Sequence, residues 1–519
     1  MKIVVSNIII NVSESIDSLL NKIVKQLKLN NNHILSYKIL KRSIDARKKP
    51  NIFYVYKLLI ELEKPININK LNNVSLYKEE KKQSIKKIST KKEVFVIGAG
   101  PAGLFSALKL LDYGFKVTLV ERGKPVKERI EDIELFKANR ILNNESNIAF
   151  GLGGAGTFSD GKLQSGIKDS KVSEVLKIFN KYGAYDNILY DAKPHIGTDV
   201  LRIIVQNMAD DIIKKGGRLL FNSKLEDINI KDGKIESVII NNDTYKCDTL
   251  ILALGHSAKD TIKMLIEKGL DAKSKPFSMG VRVEHPQKFI NKIQYGMEEY
   301  KYLPPADYKV AVKLESGRGV YSFCMCPGGE VVESQNEPFT IVTNGMSYNK
   351  RNLENANSAI LVSVEPSDFG LPLDGFEFQE KYEKLAYNVA NNYDAPIQKM
   401  GDFMKKMKTT SLGSVNPSVK PGYVFSNLWD ILPEFVSESL KEGFKLINNK
   451  IPGYLYDDAI LTAIESRSSC PVMFIRNDDF ESNIKGIYPI GEGSGHSGGI
   501  TSSAVEGLNV ANIIYKKYV

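Results

Sequence analysis

A chain of 519 residues with 42% apolar and 25% charged side chains has the composition of a soluble globular protein of roughly three domains, and excludes fibrous and disordered classes. No apolar run approaches the ~18 residues of a membrane span. The four cysteines (Cys247, Cys324, Cys326, Cys470) are too few for a disulfide framework and point to a reducing, cytoplasmic setting. The net charge of +10 is concentrated at one end: residues 1–92 hold 20 Lys and Arg against 7 Asp and Glu, or +13, which leaves the remainder at −3.

The opening stretch alternates apolar and polar residues and lacks a small-residue cleavage site, which predicts a strand and not a signal peptide. Residues 1–77 read as a small basic α+β domain: strands over Lys2–Val12, Ile34–Ile44 and Ile52–Leu62, and an amphipathic helix over Ile16–Leu27. Residues 78–92, KEEKKQSIKKISTKK, form a charged linker with little to bury. The basic unit has two readings, a nucleic-acid surface over residues 1–92 or a solvated face. The second is preferred, because stacking aromatics are sparse and no RNA-binding signature is present.

From Glu93 the pattern changes to strand, glycine turn, helix, strand. Val94–Ile97 predicts a buried parallel strand, and Gly98, Gly100 and Gly103 follow in G-x-G-x-x-G spacing. Pro101 and Ala102 open a helix with Leu104, Leu108 and Leu111 at helical spacing, ended by Gly114. The strand Lys116–Val120 leads to Glu121 and Arg122. The glycines suit a tight turn, a close pyrophosphate and close helix–strand packing, and the acid is placed for a ribose. The helix N-terminus supplies amide donors and partial positive charge to phosphates.

A glycine-rich loop, FGLGGAGTFSDGKLQSG, comes next. Gly151, Gly153 and Gly156 repeat the fingerprint spacing, but no helix opens after them. The loop, through Gly154 and Thr157, is expected to wrap a ligand held by the first motif. Helices follow over Val172–Tyr182 and Leu201–Lys214. Leu225 and its neighbours are expected where a third strand could lay its backbone against an adenine. Asp227–Lys246 reads as an antiparallel meander, and Thr249–Leu254 as a buried strand ended by Gly255. These elements make residues 93–274 the first part of a Rossmann-type core. Residues 275–448, with proline- and glycine-punctuated strands, predict an inserted, mainly antiparallel α+β substrate domain. Residues 449–519 return to the core. The overall expectation is an α/β fold.

The return ends in a second glycine-rich junction, GIYPIGEGSGHSGGITSSAVEGL. A fingerprint at one end and this junction at the other suit FAD better than NAD. Gly491 and Glu492 would meet a hydroxyl of the cofactor, and Gly498, Gly499, Ile500 and Thr501 would present amides to the flavin pyrimidine edge, where a positive helix end favours the anionic reduced ring. Individual catalytic candidates are Arg467, a carboxylate clamp or an ion pair at the core rim; His496, a proton donor or an incidental turn residue; and Lys162 with Asp160, which meet flavin or substrate or shape the loop. Cys324 and Cys326 are spaced too closely for an unstrained disulfide. No His/Cys/Asp set has metal-ligand spacing, so no metal is expected.

Taken together, GAGPAGLFSALKL, GGAGTFSDGKL, KPHIGTD, ALGHSA, GVRVEHPQ, FCMCPGG, ESRSSCPV and GEGSGHSGGITSSAVEGL resemble the bacterial uncharacterised FAD-dependent dehydrogenases, within the glutathione-reductase-type flavoproteins that include geranylgeranyl reductases and p-hydroxybenzoate hydroxylase. The resemblance implies FAD held by Gly98, Gly100, Gly103, Glu121 and Arg122, with Gly491 and Glu492 at the second contact. Broader relatives carry Asp where Glu492 stands. No second fingerprint for a dedicated nicotinamide domain is present, so hydride would come from transiently docked NAD(P)H, another protein or the substrate itself. The expected activity is hydride exchange between the flavin and a small organic substrate. The alternatives are a flavoenzyme acting on RNA through the basic domain and a non-catalytic FAD-binding protein.

Overall fold

The computed structural model describes residues 1–29, 33–79, 87–88, 90, 92–299 and 301–519. Most of the charged linker expected at 78–92 therefore lies outside the described residues. The N-terminal unit contains β1 (Lys2–Asn11), α1 (Ser18–Leu27), β2 (Ile34–Asp45), β3 (Phe53–Leu62) and β4 (Val74–Leu76) in one sheet of order β2-β3-β1-β4. Leu19, Ile23 and Leu27 recur every four residues on α1 and are buried against Ile3, Val5, Leu58 and Ile60. Such side chains contribute roughly 1.5–3 kcal/mol each on burial.

The core begins with β5 (Glu93–Ile97), α2 (Pro101–Tyr113), β6 (Lys116–Val120) and α3 (Val126–Asn139). After the glycine loop come α4 (Lys171–Lys181), α5 (Thr198–Lys214) and β7 (Arg218–Leu220). The meander is β8 (Leu225–Lys231), β9 (Lys234–Ile240) and β10 (Asp243–Lys246), its first turn made by Asp232 and Gly233, both at positive φ. Then follow β11 (Thr249–Leu252), α6 (Lys259–Glu267) and β12 (Ala272–Ser274).

The second layer system contains β13 (Phe277–Pro286), α7 (Gln287–Tyr295), β14 (Ala311–Lys313), β15 (Gly319–Glu333), β16 (Thr343–Met346), β17 (Asn355–Val364), α8 (Pro366–Phe369), α9 (Asp374–Asn388), β18 (Asp394–Lys399), α10 (Met400–Met404), β19 (Gly422–Phe425), α11 (Glu434–Lys450) and β20 (Ile460–Glu465). The chain ends with β21 (Val472–Phe474), β22 (Ile487–Pro489) and α12 (Ile500–Lys516).

Five strands form the core sheet in the order β22-β11-β5-β6-β7, all parallel. Both faces are covered, so β5 and β11 read as unbroken apolar runs. The chain winds outward from β5 through β6 to β7, then returns to the other side of β5 with β11 and β22. The switch point thus falls between β5 and β11, where an open α/β sheet leaves a crevice beyond its strand ends. This is the Rossmann-type α/β core expected from the sequence.

Eight strands form the inserted sheet, ordered β14-β15-β17-β13-β20-β18-β19 with β16 paired to β15, antiparallel except for β18 with β19. It differs from the sequence expectation at its edge. The boundary expected at residue 448 is too early, because β20 pairs with β13 and β18 inside this sheet and the chain rejoins the core only after Glu465. The helix expected over Leu428–Leu446 starts at Glu434, since Pro433 has no amide to continue a helix from the short turn before it. Leu225 opens β8 in the meander and pairs with Ile240, while the third parallel strand is β7. Its side chain is buried in a cluster with Phe95, Ile97, Val120, Ile228 and Val238.

Candidate active site

The first glycine turn is shaped by contacts of opposite kinds. A Cβ at Gly103 would lie 1.8 Å from the Gly98 carbonyl oxygen, and one at Gly98, at φ +100°, would lie 2.5 Å from the Ala253 oxygen. Both glycines are demanded by the protein's own packing. At Gly100 a Cβ would meet nothing closer than the Gly154 Cα at 4.0 Å. The cradle at Gly100 is open, and a side chain there would fill it. The amides of Ala102 and Gly103, after Pro101, lie in the first turn of α2 and have no acceptor within the helix.

Glu121, almost wholly buried, accepts hydrogen bonds from the amides of Ala99 (2.8 Å), Gly123 (2.9 Å) and Gly151 (3.0 Å). It ties the glycine loop to the turn and keeps about one of its four acceptor directions. Arg122 lies over the Phe150 ring and pairs with Glu145 and Asp260. Arg129 went unnoticed in the sequence. Its guanidinium donates to the carbonyls of Asn147, Ile148, Leu152 and Gly154, and burial pulls its pKa down to about 9. The available signal was an arginine four and seven residues before Ile133 and Phe136, on the buried face of α3. Thr157 turns inward, its hydroxyl to the Leu152 carbonyl and its own carbonyl receiving Thr198 Oγ1.

The C-terminal junction meets this turn. A Cβ on Gly491 would lie 3.2 Å from Ala102 Cβ, and one on Gly507 would lie 2.4 Å from the Ala102 oxygen. Thr501 Oγ1 donates to the Leu163 carbonyl at 2.8 Å. A narrow cleft opens between Pro101, Leu104, Gly153, Gly156 and Ile500. Gly498 and Gly499 are exposed, and an added Cβ at Gly255 or Gly498 would meet no atom within 4 Å. Glu492 Oε1 accepts the Cys470 amide at 2.7 Å and lies 3.7 Å from His256 Nδ1. Burial pushes the Glu492 carboxyl up, but His256 and the Cys470 amide overcome it and hold it below its usual range.

Facing the junction from the inserted sheet, β15 carries a left-handed, exposed Cys324 beside a buried Cys326, whose thiol donates to the Cys324 carbonyl. Desolvation by the surrounding protein raises the pKa of both thiols, that of Cys324 to about 11 although its side chain reaches the surface. Arg282, fully buried, binds Glu465, Asn357, Asn344 and that same Cys324 carbonyl. Lys162 Nζ reaches the Met325 carbonyl and lies 3.2 Å from Asp160, which Arg351 grips bidentately at 2.8 and 2.6 Å. Burial works against the Lys162 charge, but Cys326 and Asp160 outweigh it and raise the pKa.

Two catalytic candidates are engaged elsewhere. Arg467 directs its donors to Glu383, Ser257, Asn336 and Glu337, so the ion-pair reading describes it and the substrate clamp is withdrawn. His496 Nε2 lies 2.8 Å from the Phe474 carbonyl, and burial lowers its pKa. Among the described residues no group of three His, Cys, Asp or Glu could hold a metal, and no helix is long and apolar enough to cross a membrane.

Residues 276–468 match the family model described as FAD-dependent protein, C-terminal domain-like, residues 91–129 match an FAD binding domain, and residues 2–61 match a domain of unknown function. An uncharacterised protein of Clostridium beijerinckii is 46% identical over 529 residues, covering 100% of this chain and 99% of that one. The chain belongs to the bacterial family of uncharacterised FAD-dependent dehydrogenases. Distant similarity extends to the FrdA subunit of E. coli quinol fumarate reductase (11% identity, TM-score 0.38, 82% of this chain and 70% of that one) and to a geranylgeranyl bacteriochlorophyll reductase-like protein of Thermoplasma acidophilum (12%, 0.33, 82% and 79%). The cofactor of this FAD-dependent oxidoreductase is FAD. The open space at Gly100, Gly255 and Gly498 leaves room for a bound dinucleotide.

Proposed function

We propose that this flavoprotein oxidises or reduces a small organic molecule in the cleft between its core and its inserted sheet. Bound FAD supplies hydride exchange at its N5 position. The chain's residues then divide the remaining work. The α2 amides of Ala102 and Gly103, at a helix end with partial positive charge, hold the pyrophosphate. Glu121 offers its remaining acceptor direction to a ribose hydroxyl, and Glu492 its Oε2. The first amides of α12, at Ile500 and Thr501, place positive charge where the pyrimidine edge becomes negative.

Lys162 is the residue we assign to the substrate. The carrying observation is its setting: the side chain is one-third exposed although the ammonium lies between the core loop and β15, beside exposed Cys324. An exposed group in such a seam faces a cleft. Asp160 and the Met325 carbonyl take two of its three N–H bonds, and the third is left to orient or protonate a carbonyl or carboxylate of the substrate. Arg351 fixes Asp160 and thereby positions the lysine. The electron donor would be NAD(P)H docked transiently, or the substrate itself.

The test is anaerobic mixing of FAD-loaded protein with NADH and NADPH, then a metabolite screen for reoxidation. One nucleotide or metabolite should bleach or restore flavin absorbance, and Lys162→Met should slow that step about 10²–10⁴-fold with flavin content unchanged. A flavin inert to every donor and metabolite would favour a structural cofactor instead.

A further inference from the structure

We propose that the seam between α3 and the C-terminal end of β15 is a second ligand site, separate from the flavin cleft, and that it takes a small amine carried on a hydrocarbon body. It goes beyond the redox reading and does not depend on it. A narrow crevice, partly open to solvent, runs along this seam. Its walls are Ile133, Phe136 and Leu142 from the core and Val331 and Val332 from the inserted sheet. None of these residues belongs to the FAD-binding set.

Two polar side chains line this crevice without satisfying their own oxygens. Ser146 is 2% exposed and Glu333 is 4% exposed. Ser146 Oγ and Glu333 Oε1 have no hydrogen-bond partner among the described residues. The other carboxyl oxygen, Glu333 Oε2, accepts from Gln335 Nε2 at 2.7 Å. Leaving buried polar groups unpaired costs about 1–3 kcal/mol each, so a ligand that supplies the missing donors gains that amount back.

The charge balance selects a cation. Carboxyl groups of Asp132, Glu330 and Glu333 line the crevice against the ammonium groups of Lys137 and Lys420. Lys137 is drawn to Glu134 on its own helix at 3.1 Å, and Asp132 is held by Lys124. The nearest outside charges are Arg140 and Asp394, which pair with each other. A carboxylate ligand would meet acids, and an alcohol carries no charge to pair with an ionised Glu333. An ammonium answers it, and the Phe136 ring and aliphatic walls accept the body.

Burial holds the Glu333 carboxyl well above the usual carboxylate range, and burial also raises Glu330. Binding therefore moves a proton: Glu333–COOH and R–NH₃⁺ become a carboxylate–ammonium pair, and one H⁺ leaves to solvent. Affinity rises with pH until Glu333 is ionised in the free protein, while the amine stays charged.

Isothermal titration of the FAD-loaded full-length protein with n-hexylamine, n-hexanol and hexanoate tests this. Hexylamine should bind with release of a proton, seen as a buffer-dependent heat, and tighten as pH rises. Hexanol and hexanoate should bind at least about tenfold more weakly. Glu333→Gln should lose the preference for the amine and the proton release, with flavin content unchanged. If that variant fails to fold, Ile133→Trp, which fills the crevice, should abolish hexylamine binding. Lys162→Met should leave it intact; loss of binding there would make the crevice an arm of the flavin cleft and overturn a separate site. Equal binding of amine and alcohol, no proton release, or no binding of hexylamine would each overturn the proposal.

Discussion

Gly100 and Gly103 stand three residues apart and carry opposite demands. At Gly103 a methyl group would lie 1.8 Å from the Gly98 oxygen, so Gly103→Ala forces the helix off the strand. Overpacking of this kind costs about 1–3 kcal/mol or more, and a lowered thermal midpoint with poor soluble yield should be the result. At Gly100 the space is open, so Gly100→Val should fold with a near-unchanged midpoint. It should instead lose hydrogen bonds from the turn to the charged pyrophosphate, each worth about 1.5–3 kcal/mol, and weaken FAD at least about 100-fold by fluorescence titration. Equal FAD affinity in Gly100→Val would mean the cradle holds something else. The spacing of these glycines was legible in the sequence, and so was the acid at Glu121. What Glu121 does was not: its three amide partners come from Ala99, Gly123 and Gly151, and only the folded loop brings the last of these to it. Arg467 shows the same limit. An arginine beside serines suits a clamp or an ion pair equally, and Glu383, 84 positions away, decides between them.

At the scale of elements, the core and inserted sheet are joined by buried charge. Glu383 on α9 binds Arg467 and Ser466 and lies 4.0 Å from Lys259 on α6. Burial alone would raise its pKa, but Arg467 and Lys259 draw it down to about 2. Arg467→Met leaves that carboxylate without its main partner and should cost about 3–5 kcal/mol by urea denaturation. The pH dependence follows in two stages. His285 on β13 is neutral when folded, because burial lowers its pKa to about 4, against about 6.5 unfolded. Its contribution is complete above about pH 6.5 and lost as pH falls towards about 4, a change of roughly 3 kcal/mol. His195 and His496 shift the same way. Glu383 has a depressed carboxyl, so its contribution is present above about pH 4.3 and lost as pH falls through its folded value. Through these groups stability declines from about pH 6.5 downward and steepens below about pH 4.3, while the raised buried carboxyls of Glu284, Glu333 and Glu465 pull in the opposite sense. His285→Gln, which keeps a donor for the Tyr454 carbonyl, should flatten the upper stage; an unchanged profile would remove His285 from the account. Element types were readable from periodicity because β5, α2 and β6 are locally consistent. The edge at β20 was not, since membership of a sheet depends on β13 and β18, which are remote in sequence.

Across the whole molecule, the N-terminal unit is docked and not merely tethered. Arg42 on β2 pairs bidentately with Asp191 at 2.7 and 3.0 Å, and its backbone exchanges hydrogen bonds with Tyr190 and Ala192. Lys49 donates to the Ile293 carbonyl and Tyr54 to the Tyr302 carbonyl, while Val12 and Ile52 join the core of the inserted domain. Arg42 and Lys49, two of the basic residues of this unit, are thus engaged by the rest of the protein. Arg42→Ala should raise protease sensitivity of the N-terminal unit and leave flavin content unchanged; equal sensitivity would show the contact to be dispensable.

The fold as a whole brings its two glycine-rich segments, nearly 400 residues apart, to one crevice beside the switch point. A crystal structure of the full-length protein grown with FAD tests this most directly. The account predicts one FAD per chain, its pyrophosphate on the amides of Ala102 and Gly103 and its pyrimidine edge on those of Ile500 and Thr501. An FAD held by only one of these segments, or seated away from Gly100, would contradict it.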